Sequence, residues 1–140
     1  MNQRVVITGI GIYSTIGLNT KEVKDSLYHG KSGIKFDQSR LDFGYRSGLC
    51  GYVPTPKLKG VLDRRMRVGL AEQGAYAYIA TEEAMNMAGI DEAYIEKNEI
   101  GILYGNDSSS KAVVESIDAL RAKKDTSRIG SGSIFQSMNS

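Results

Sequence analysis

Two stretches of the chain are apolar without alternating with polar positions, and both are short. Residues 5–12 read VVITGIGI and residues 100–105 read IGILYG. Unbroken runs of this kind, rich in β-branched residues, are typical of strands buried on both faces of a layered α/β protein. We therefore predict one central strand near the start of the chain and a second at 100–105.

Helical periodicity, with apolar positions every three or four residues, appears after Asn19 and again from residue 111 to about 123. Asn19 can cap the first of these helices, and Glu22, three residues later, can complete a capping box. Gly30 follows the apolar stripe, where a helix commonly ends in a left-handed glycine. The two stretches predict two amphipathic helices.

The longest helical pattern begins at the capping residue Asp63 and runs to about Ala88, with Gly89 at its end. Its shared face consists mainly of small residues, and Gly69 and Gly74 lie inside it. Each internal glycine costs a helix about 1 kcal/mol relative to alanine. We therefore expect a close backbone approach at these two glycines.

Residues 31–62 show no sustained period and contain both prolines of the chain. Connections of this length are uncommon and often belong to surface or functional insertions. We predict a long irregular insertion here, with one or two short strands such as 49–53. Beyond residue 131, Ile134, Phe135 and Met138 begin a further apolar pattern that the chain end interrupts.

The composition is that of a globular protein, with 41% hydrophobic and 24% charged residues and a formal net charge of +2. The longest apolar run, 75–80, is far shorter than the roughly 18 residues of a membrane span, and no signal segment opens the chain. We predict a cytoplasmic protein without a membrane span. The charge is too small to indicate nucleic acid, and no aromatic residues interleave the basic ones.

Catalytic side chains are scarce, since the chain has one cysteine, Cys50, and one histidine, His29. This excludes an internal disulfide framework and a Cys-rich or His-based metal site. A nucleophilic thiol needs a neighbouring base or a helix N-terminus. We predict a structural role for Cys50, and for His29 a position at a helix C-terminus, where the dipole favours it.

Two glycine-containing loops invite a phosphate-binding interpretation. Gly9 and Gly11 follow the first strand, but the next glycine is Gly17, so the dinucleotide-binding spacing is absent. The loop after Gly105 precedes a helix N-terminus, which can receive an anion, but no P-loop sequence follows. We favour a tight turn at the first loop and helix capping by Ser110 at the second.

Three arginines, Arg64, Arg65 and Arg67, lie in the first turn of the longest predicted helix. Positive charge there opposes the helix dipole and is locally unfavourable. One interpretation is a solvated basic turn near Asp63 and Glu72. The other is a docking patch, because guanidinium groups suit carboxylate and phosphate partners.

Five segments, taken in order, resemble the N-terminal region of the β-ketoacyl-acyl carrier protein synthases. They are VVITGIGIYSTIG at 5–17, KSGI at 31–34, LDRRMR at 62–67, AYAYIATEEAMNMAGI at 75–90 and GILYGNDSSS at 101–110. The resemblance implies an α/β, thiolase-like fold with αβαβα layers. Residues 1–140 are expected to form an incomplete N-terminal β-ketoacyl synthase domain within it.

The resemblance also implies a 3-oxoacyl-[acyl-carrier-protein] synthase, an acyltransferase that performs decarboxylative Claisen condensation in fatty-acid or polyketide synthesis. The family's catalytic residues match no position of this chain, which alone is expected to be inactive. No cofactor is expected beyond the phosphopantetheine arm that arrives on the acyl carrier protein. A homodimer, or a heterodimer with a related synthase, is implied. Two alternatives stay open: a non-catalytic partner resembling a chain-length factor, and an unrelated α/β binding module.

Candidate binding residues follow from the resemblance. Ser108 matches a position that sets access to the acyl pocket, although the family usually has glycines where this chain has Asp107 and Ser109. The family has a segment that reaches the partner subunit's acyl pocket, and in this chain it is matched by Ile134, Phe135 and Met138. Basic residues that receive the carrier protein are matched by Arg64 and Arg65, and by Arg67 in a looser alignment.

Overall fold

The computed structural model describes residues 4–106, 110–127 and 129–138, and helices make up most of their regular structure. In chain order the elements are α1 Thr20–Tyr28, β1 Ile34–Phe36, α2 Gln38–Asp42, β2 Leu49–Gly51, α3 Arg64–Gly69, α4 Glu72–Ala88, α5 Glu92–Lys97, α6 Lys111–Lys123 and α7 Ser131–Met138. The chain divides into two compact units. Unit 1 comprises the residues up to Pro54 and Tyr78–Ile100, and unit 2 comprises Thr55–Ala77 and the residues from Gly101 onward.

The strands predicted at 5–12 and 100–105 are not formed, which corrects the sequence-based expectation. Both segments lie outside any sheet, and Val5 and Leu103 are 96% and 102% exposed. A strand exists only through hydrogen bonds to a neighbouring strand, and in the described parts of the chain neither segment has such a neighbour. The apolar pattern predicts that both segments are buried in a sheet, but the two segments do not pair with each other to form one.

The insertion at 31–62 contains more regular structure than its composition suggests. Strands β1 and β2 pair antiparallel, with Ile34 opposite Gly51 and Phe36 opposite Leu49. Helix α2 lies between them, and Asp37 caps it by accepting a hydrogen bond from the Ser39 amide at 2.9 Å. The predicted short strand within 49–53 is confirmed. Helix α2 was not predicted, because its sequence has no helical repeat of apolar residues.

Helix α1 follows its predicted signals closely. Asn19 accepts a hydrogen bond from the Glu22 amide at 2.9 Å, and Gly30 has the positive φ of +62° that ends the helix. The Glu22 carboxylate reaches back to the amide of Leu18 at 2.9 Å, one residue earlier than a standard capping box requires. The helix and its two ends were thus predictable from local chemistry.

The single helix predicted from Asp63 to Ala88 is in fact two helices. Asp63 caps α3 as predicted, accepting from the Met66 amide at 2.8 Å, and Gly89 ends α4 with φ +71°. The break falls at Leu70, whose extended backbone has φ −83° and ψ 121°. Buried Ala71 follows at 7% exposure. The helical period continues through the break, so the pattern alone could not reveal it.

In unit 1 a glycine-containing segment lies close to a helix backbone, but such an approach is not found at Gly69 or Gly74, where it was predicted. Among the described residues, a Cβ added to Gly69 would meet nothing within 4 Å, and one added to Gly74 would meet the Leu70 side chain at 2.7 Å. A Cβ on Gly11 would instead collide with the carbonyl oxygen of Ala80 in α4. The small residues of α4 therefore accommodate the segment that follows residue 8.

Unit 2 contains the predicted helix at 111–123, which is α6. Ser110 occupies its N-cap position, but its side chain makes no capping hydrogen bond, so the predicted cap is wrong. The backbone of Ser110 is already helical, with φ −75° and ψ −11°, which is unlike the extended conformation of a capping residue. Helix α7 packs against α6 and α3, and Gln136 donates to the Val68 carbonyl at 2.9 Å.

Helix α5 has no apolar period that predicts it, although Asp91 caps it by accepting from the Tyr94 amide at 2.8 Å. None of the helices in the described residues could span a membrane.

Candidate functional site

The three arginines of α3 have different environments. Arg64 and Arg65 are exposed, and within 4–106, 110–127 and 129–138 neither forms an ion pair. Arg67 is half-buried, and its Nε donates to the Leu62 carbonyl at 3.1 Å. Arg64 and Arg65 are therefore available to a partner, whereas Arg67 is tied to the loop before the helix.

The two acidic residues near these arginines are engaged elsewhere. Asp63 uses its carboxylate to cap α3, and Glu72 pairs with Lys111 at 2.8 Å. The Lys111 ammonium, with the Tyr76 hydroxyl, holds the pKa of Glu72 below its usual value, and Glu72 in turn raises the pKa of Lys111. This ion pair joins the first turns of α4 and α6.

A first cavity in unit 2, the Tyr104 cavity, has a volume of about 530 Å³. Its lining residues are Leu70, Ala71, Gln73, Gly74, Tyr104, Gly105 and Asn106. It adjoins the start of the loop in which Ser108 was predicted to control acyl access. Ser108 itself, with Asp107 and Ser109, lies outside the described residues, and its role stays a prediction.

A second cavity in unit 2, the basic cavity, has a volume of about 730 Å³. Its charged lining residues are Lys57, Lys59, Arg67, Glu72, Lys111 and Glu115. The remaining walls are mostly apolar and include Pro56, Leu58, Leu70, Ala71, Ala75 and Ala112. Sequence reasoning missed this site because its residues come from separate segments that no spacing rule connects.

The predicted acyl-pocket residues of α7 form an exposed apolar strip. Ile134, Phe135 and Met138 are 55%, 59% and 70% exposed. Positions three and four residues apart share one helix face, so the three side chains belong to a single surface. Their predicted contact with a partner subunit stays a prediction.

Cys50 and His29 lie where the structural interpretation places them. Cys50 is half-buried on β2, opposite Lys35 of β1. His29 forms the C-cap of α1, with its Nδ1 2.9 Å from the Asp25 carbonyl oxygen and 3.1 Å from the Asp25 carboxylate. In the parts of the chain that the structure describes, no three His, Cys, Asp or Glu residues are grouped to hold a metal ion.

Glu83 is a half-buried carboxylate of α4 that sequence reasoning also missed. It accepts hydrogen bonds from the amide of Ile12 at 3.0 Å and from the amide and hydroxyl of Thr20 at 2.8 and 2.7 Å. It thereby joins three segments of unit 1. No local pattern distinguishes it from its exposed neighbour Glu82.

Comparison with known proteins identifies the class. The family model of the β-ketoacyl synthase N-terminal domain matches residues 2–140, and the chain belongs to this family. A solved β-ketoacyl synthase from Burkholderia phymatum STM815 superimposes with a TM-score of 0.80 over 96% of this chain, at 23% identity. The fold is therefore that of the thiolase-like synthases, and the chain covers 34% of that structure.

Curated relatives agree with this family. The chain is 35% identical to 3-oxoacyl-[acyl-carrier-protein] synthase 1 of Escherichia coli K12 over 99% of its own length, and 32% identical to the Haemophilus influenzae protein of the same name. A granaticin polyketide putative β-ketoacyl synthase 1 from Streptomyces violaceoruber is 28% identical over 82% of the chain. The chain spans 34% of the length of the E. coli and H. influenzae relatives.

Proposed function

We propose that this chain forms the N-terminal part of a 3-oxoacyl-[acyl-carrier-protein] synthase. The observation that carries the proposal is the similarity to relatives of that name along 99% of the chain, at up to 35% identity for matches of this extent. The substrates are an acyl thioester and a malonyl thioester on acyl carrier protein, and a cytoplasmic location is part of the proposal. The phosphopantetheine arm belongs to the carrier, so the chain itself needs no cofactor.

The proposed reaction is a decarboxylative Claisen condensation. A cysteine thiolate first attacks the acyl thioester and takes the acyl group as a new thioester, and the carrier's thiolate is expelled and protonated by water. Loss of CO2 from the malonyl thioester then generates an enolate, which attacks the acyl carbonyl and expels the cysteine thiolate. Cys50 lies on a short strand, and His29 caps a helix. We therefore assign this chemistry to groups other than Cys50 and His29.

In this proposal, the residues of this chain contribute to binding rather than to the chemical steps. Exposed Arg64 and Arg65 suit an acidic carrier protein, because unpaired guanidinium groups attract carboxylates at long range. The strip of Ile134, Phe135 and Met138 suits burial in a homodimer, or in a heterodimer with a related synthase. Ser108 keeps its proposed role at the acyl pocket.

Activity assays test this division directly. The full-length protein is expected to release CO2 and form a 3-oxoacyl thioester from acyl and malonyl carrier proteins. A preparation shown by intact mass to contain only residues 1–140 is expected to give no product above the enzyme-free rate. Product formation by that preparation would assign the chemistry to these residues instead.

Charge reversal tests carrier docking. The double substitution Arg64→Glu with Arg65→Glu is expected to raise the Kd for acyl carrier protein at least about tenfold, which corresponds to about 1.4 kcal/mol. Helix α3 should persist, because acidic residues near a helix N-terminus are favourable. Binding is measured calorimetrically at low and moderate salt, since the contribution is electrostatic.

A matched control reverses two exposed lysines of unit 1, Lys21→Glu with Lys35→Glu, and is expected to change the Kd less than twofold. Equal changes in the Kd from both double substitutions would mean that the arginines contribute only through the overall charge of the protein. An unchanged Kd in the arginine variant would support the solvated basic turn.

Family membership excludes an unrelated α/β binding module. A non-catalytic partner resembling a chain-length factor is similar to the proposed synthase but lacks the family's nucleophile. Determining the residue there in the full-length protein separates the two: a cysteine supports the synthase, and any other residue supports the partner subunit.

A further inference from the structure

The basic cavity has an excess of positive charge that its own residues do not neutralise. Four basic side chains line it against two carboxylates. Glu72 is already paired with Lys111. Within 4–106, 110–127 and 129–138, the ammonium groups of Lys57 and Lys59 have no acidic partner. Both lysines are solvent-exposed, so their ammonium groups are free to contact an anion that enters the cavity.

Two long helices begin at this cavity, and neither is capped by the side chain of the residue directly before it. Helix α4, of 17 residues, follows Ala71, which has no polar side-chain atom. Helix α6, of 13 residues, follows Ser110, whose hydroxyl makes no capping bond. The first amides of a helix lack internal partners and carry partial positive charge. Residues of both first turns line the cavity, so these amides add to the donors available there.

A third observation concerns Gln73, in the first turn of α4. Its side-chain Nε2 is fully buried and has no hydrogen-bond partner in the described parts of the chain. Gln73 also lines the basic cavity. Because this atom exposes almost no surface, an acceptor bound in the cavity would satisfy it only after the Gln73 side chain rotates.

The size of the cavity leaves room for an organic ligand as well as a simple ion. About 730 Å³ falls within the range of small-molecule pockets and far exceeds the space that one phosphate ion fills. Leu58, only 7% exposed, and the alanines of both helix starts supply apolar wall. One end of a ligand can therefore be anionic while the rest is apolar.

We propose that the basic cavity binds a small organic phosphomonoester. The phosphate lies among Lys57, Lys59 and Arg67 and the first amides of α4 and α6, and the organic group packs against Leu58 and the neighbouring alanines. A phosphomonoester carries close to two negative charges and three acceptor oxygens at neutral pH, which matches the donors present. Neither carrier docking by Arg64 and Arg65 nor the condensation chemistry requires this site.

Calorimetric titration of the full-length protein with three probes tests the proposal at constant ionic strength. Butyl phosphate is expected to bind one saturable site at least fivefold more tightly than inorganic phosphate. Pentanoate, a carboxylate of similar length, is expected to bind at least tenfold more weakly than butyl phosphate. Equal affinity for butyl phosphate and inorganic phosphate would overturn the organic part of the proposal, and no saturable binding would overturn all of it.

Variants locate the binding. Lys57→Gln with Lys59→Gln is expected to raise the Kd for butyl phosphate at least tenfold, whereas Lys57→Arg with Lys59→Arg stays within threefold of the unaltered protein. Lys21→Gln with Lys35→Gln, in unit 1, serves as the matched control and stays within twofold. Unaltered affinity in the first variant would place the ligand elsewhere.

Measuring the affinity for acyl carrier protein distinguishes a failure of this proposal from a failure of the proposed function. The Lys57→Gln and Lys59→Gln variant is expected to bind acyl carrier protein within twofold of the unaltered protein. A loss of carrier affinity comparable to that of the Arg64 and Arg65 variant would instead assign the lysines to the docking surface.

Discussion

Replacing Gly11 by alanine is expected to lower the free energy of unfolding by at least about 3 kcal/mol. An added Cβ would lie well inside 3.0 Å of the Ala80 carbonyl oxygen, a separation that real Cβ atoms essentially never show. The obstacle is helix backbone, which cannot rotate away as the end of a side chain can. The φ of Gly11 is not among the positive values, so alanine does not have to adopt a left-handed backbone there.

Urea unfolding followed by circular dichroism measures the effect. Gly69→Ala is the matched control, because a Cβ on Gly69 meets nothing within 4 Å and the residue lies in α3. That control is expected to be neutral or to stabilise by up to about 1 kcal/mol. A loss below about 1 kcal/mol for Gly11→Ala would mean that the first segment does not pack on α4 as described.

Removing the Glu83 carboxylate is expected to have the second large effect. Glu83→Ala leaves the amides of Ile12 and Thr20 and the Thr20 hydroxyl without their acceptor. Hydrogen bonds to charged groups contribute about 1.5–3 kcal/mol each and are not additive. We expect a loss of about 2–4 kcal/mol in the free energy of unfolding.

The adjacent Glu82 provides a control on the same helix. It is exposed and accepts one hydrogen bond, from the Tyr78 hydroxyl at 2.8 Å. Glu82→Ala is expected to cost less than about 1 kcal/mol. Equal losses for the two variants would attribute the effect to helix propensity rather than to the bonds of Glu83.

The pH dependence of stability gives an independent test of Glu83. Burial opposes its charge and by itself raises the pKa, but the hydrogen bonds from Ile12 and Thr20 together outweigh it and hold the pKa below the usual 4.5. A lowered pKa in the folded state means that the stabilisation is complete above the unfolded pKa and is lost as the pH falls through the folded pKa. The stability difference between the unaltered protein and Glu83→Gln should therefore shrink on acidification from pH 7 to below 4.

Local chemistry made part of this molecule predictable. Caps at Asn19 and Asp63 and helix ends at Gly30 and Gly89 depend on residues within one turn of each other. Their signals are therefore present in any short window of sequence. The ordered motifs also sufficed to indicate the family, which the match over residues 2–140 confirms.

Other features depend on distant residues, and here the local pattern failed. The run at 5–12 resembles a central strand, but strand formation requires a partner that the described residues do not provide. The helical period passes through Leu70 without interruption, although the backbone there is extended. Ser110 occupies a capping position without capping, because its backbone is already helical.

The candidate sites show the same division. The sequence by itself determined that Arg64, Arg65 and Arg67 are consecutive or nearly so at a helix start, and that Ile134, Phe135 and Met138 share a helix face. Only the tertiary structure decided that Arg67 turns to the Leu62 carbonyl and lines the basic cavity with lysines from two other segments. The reason is physical: spacing within one helix is set by its 3.6-residue period, whereas contacts between segments are set by packing that no local period encodes.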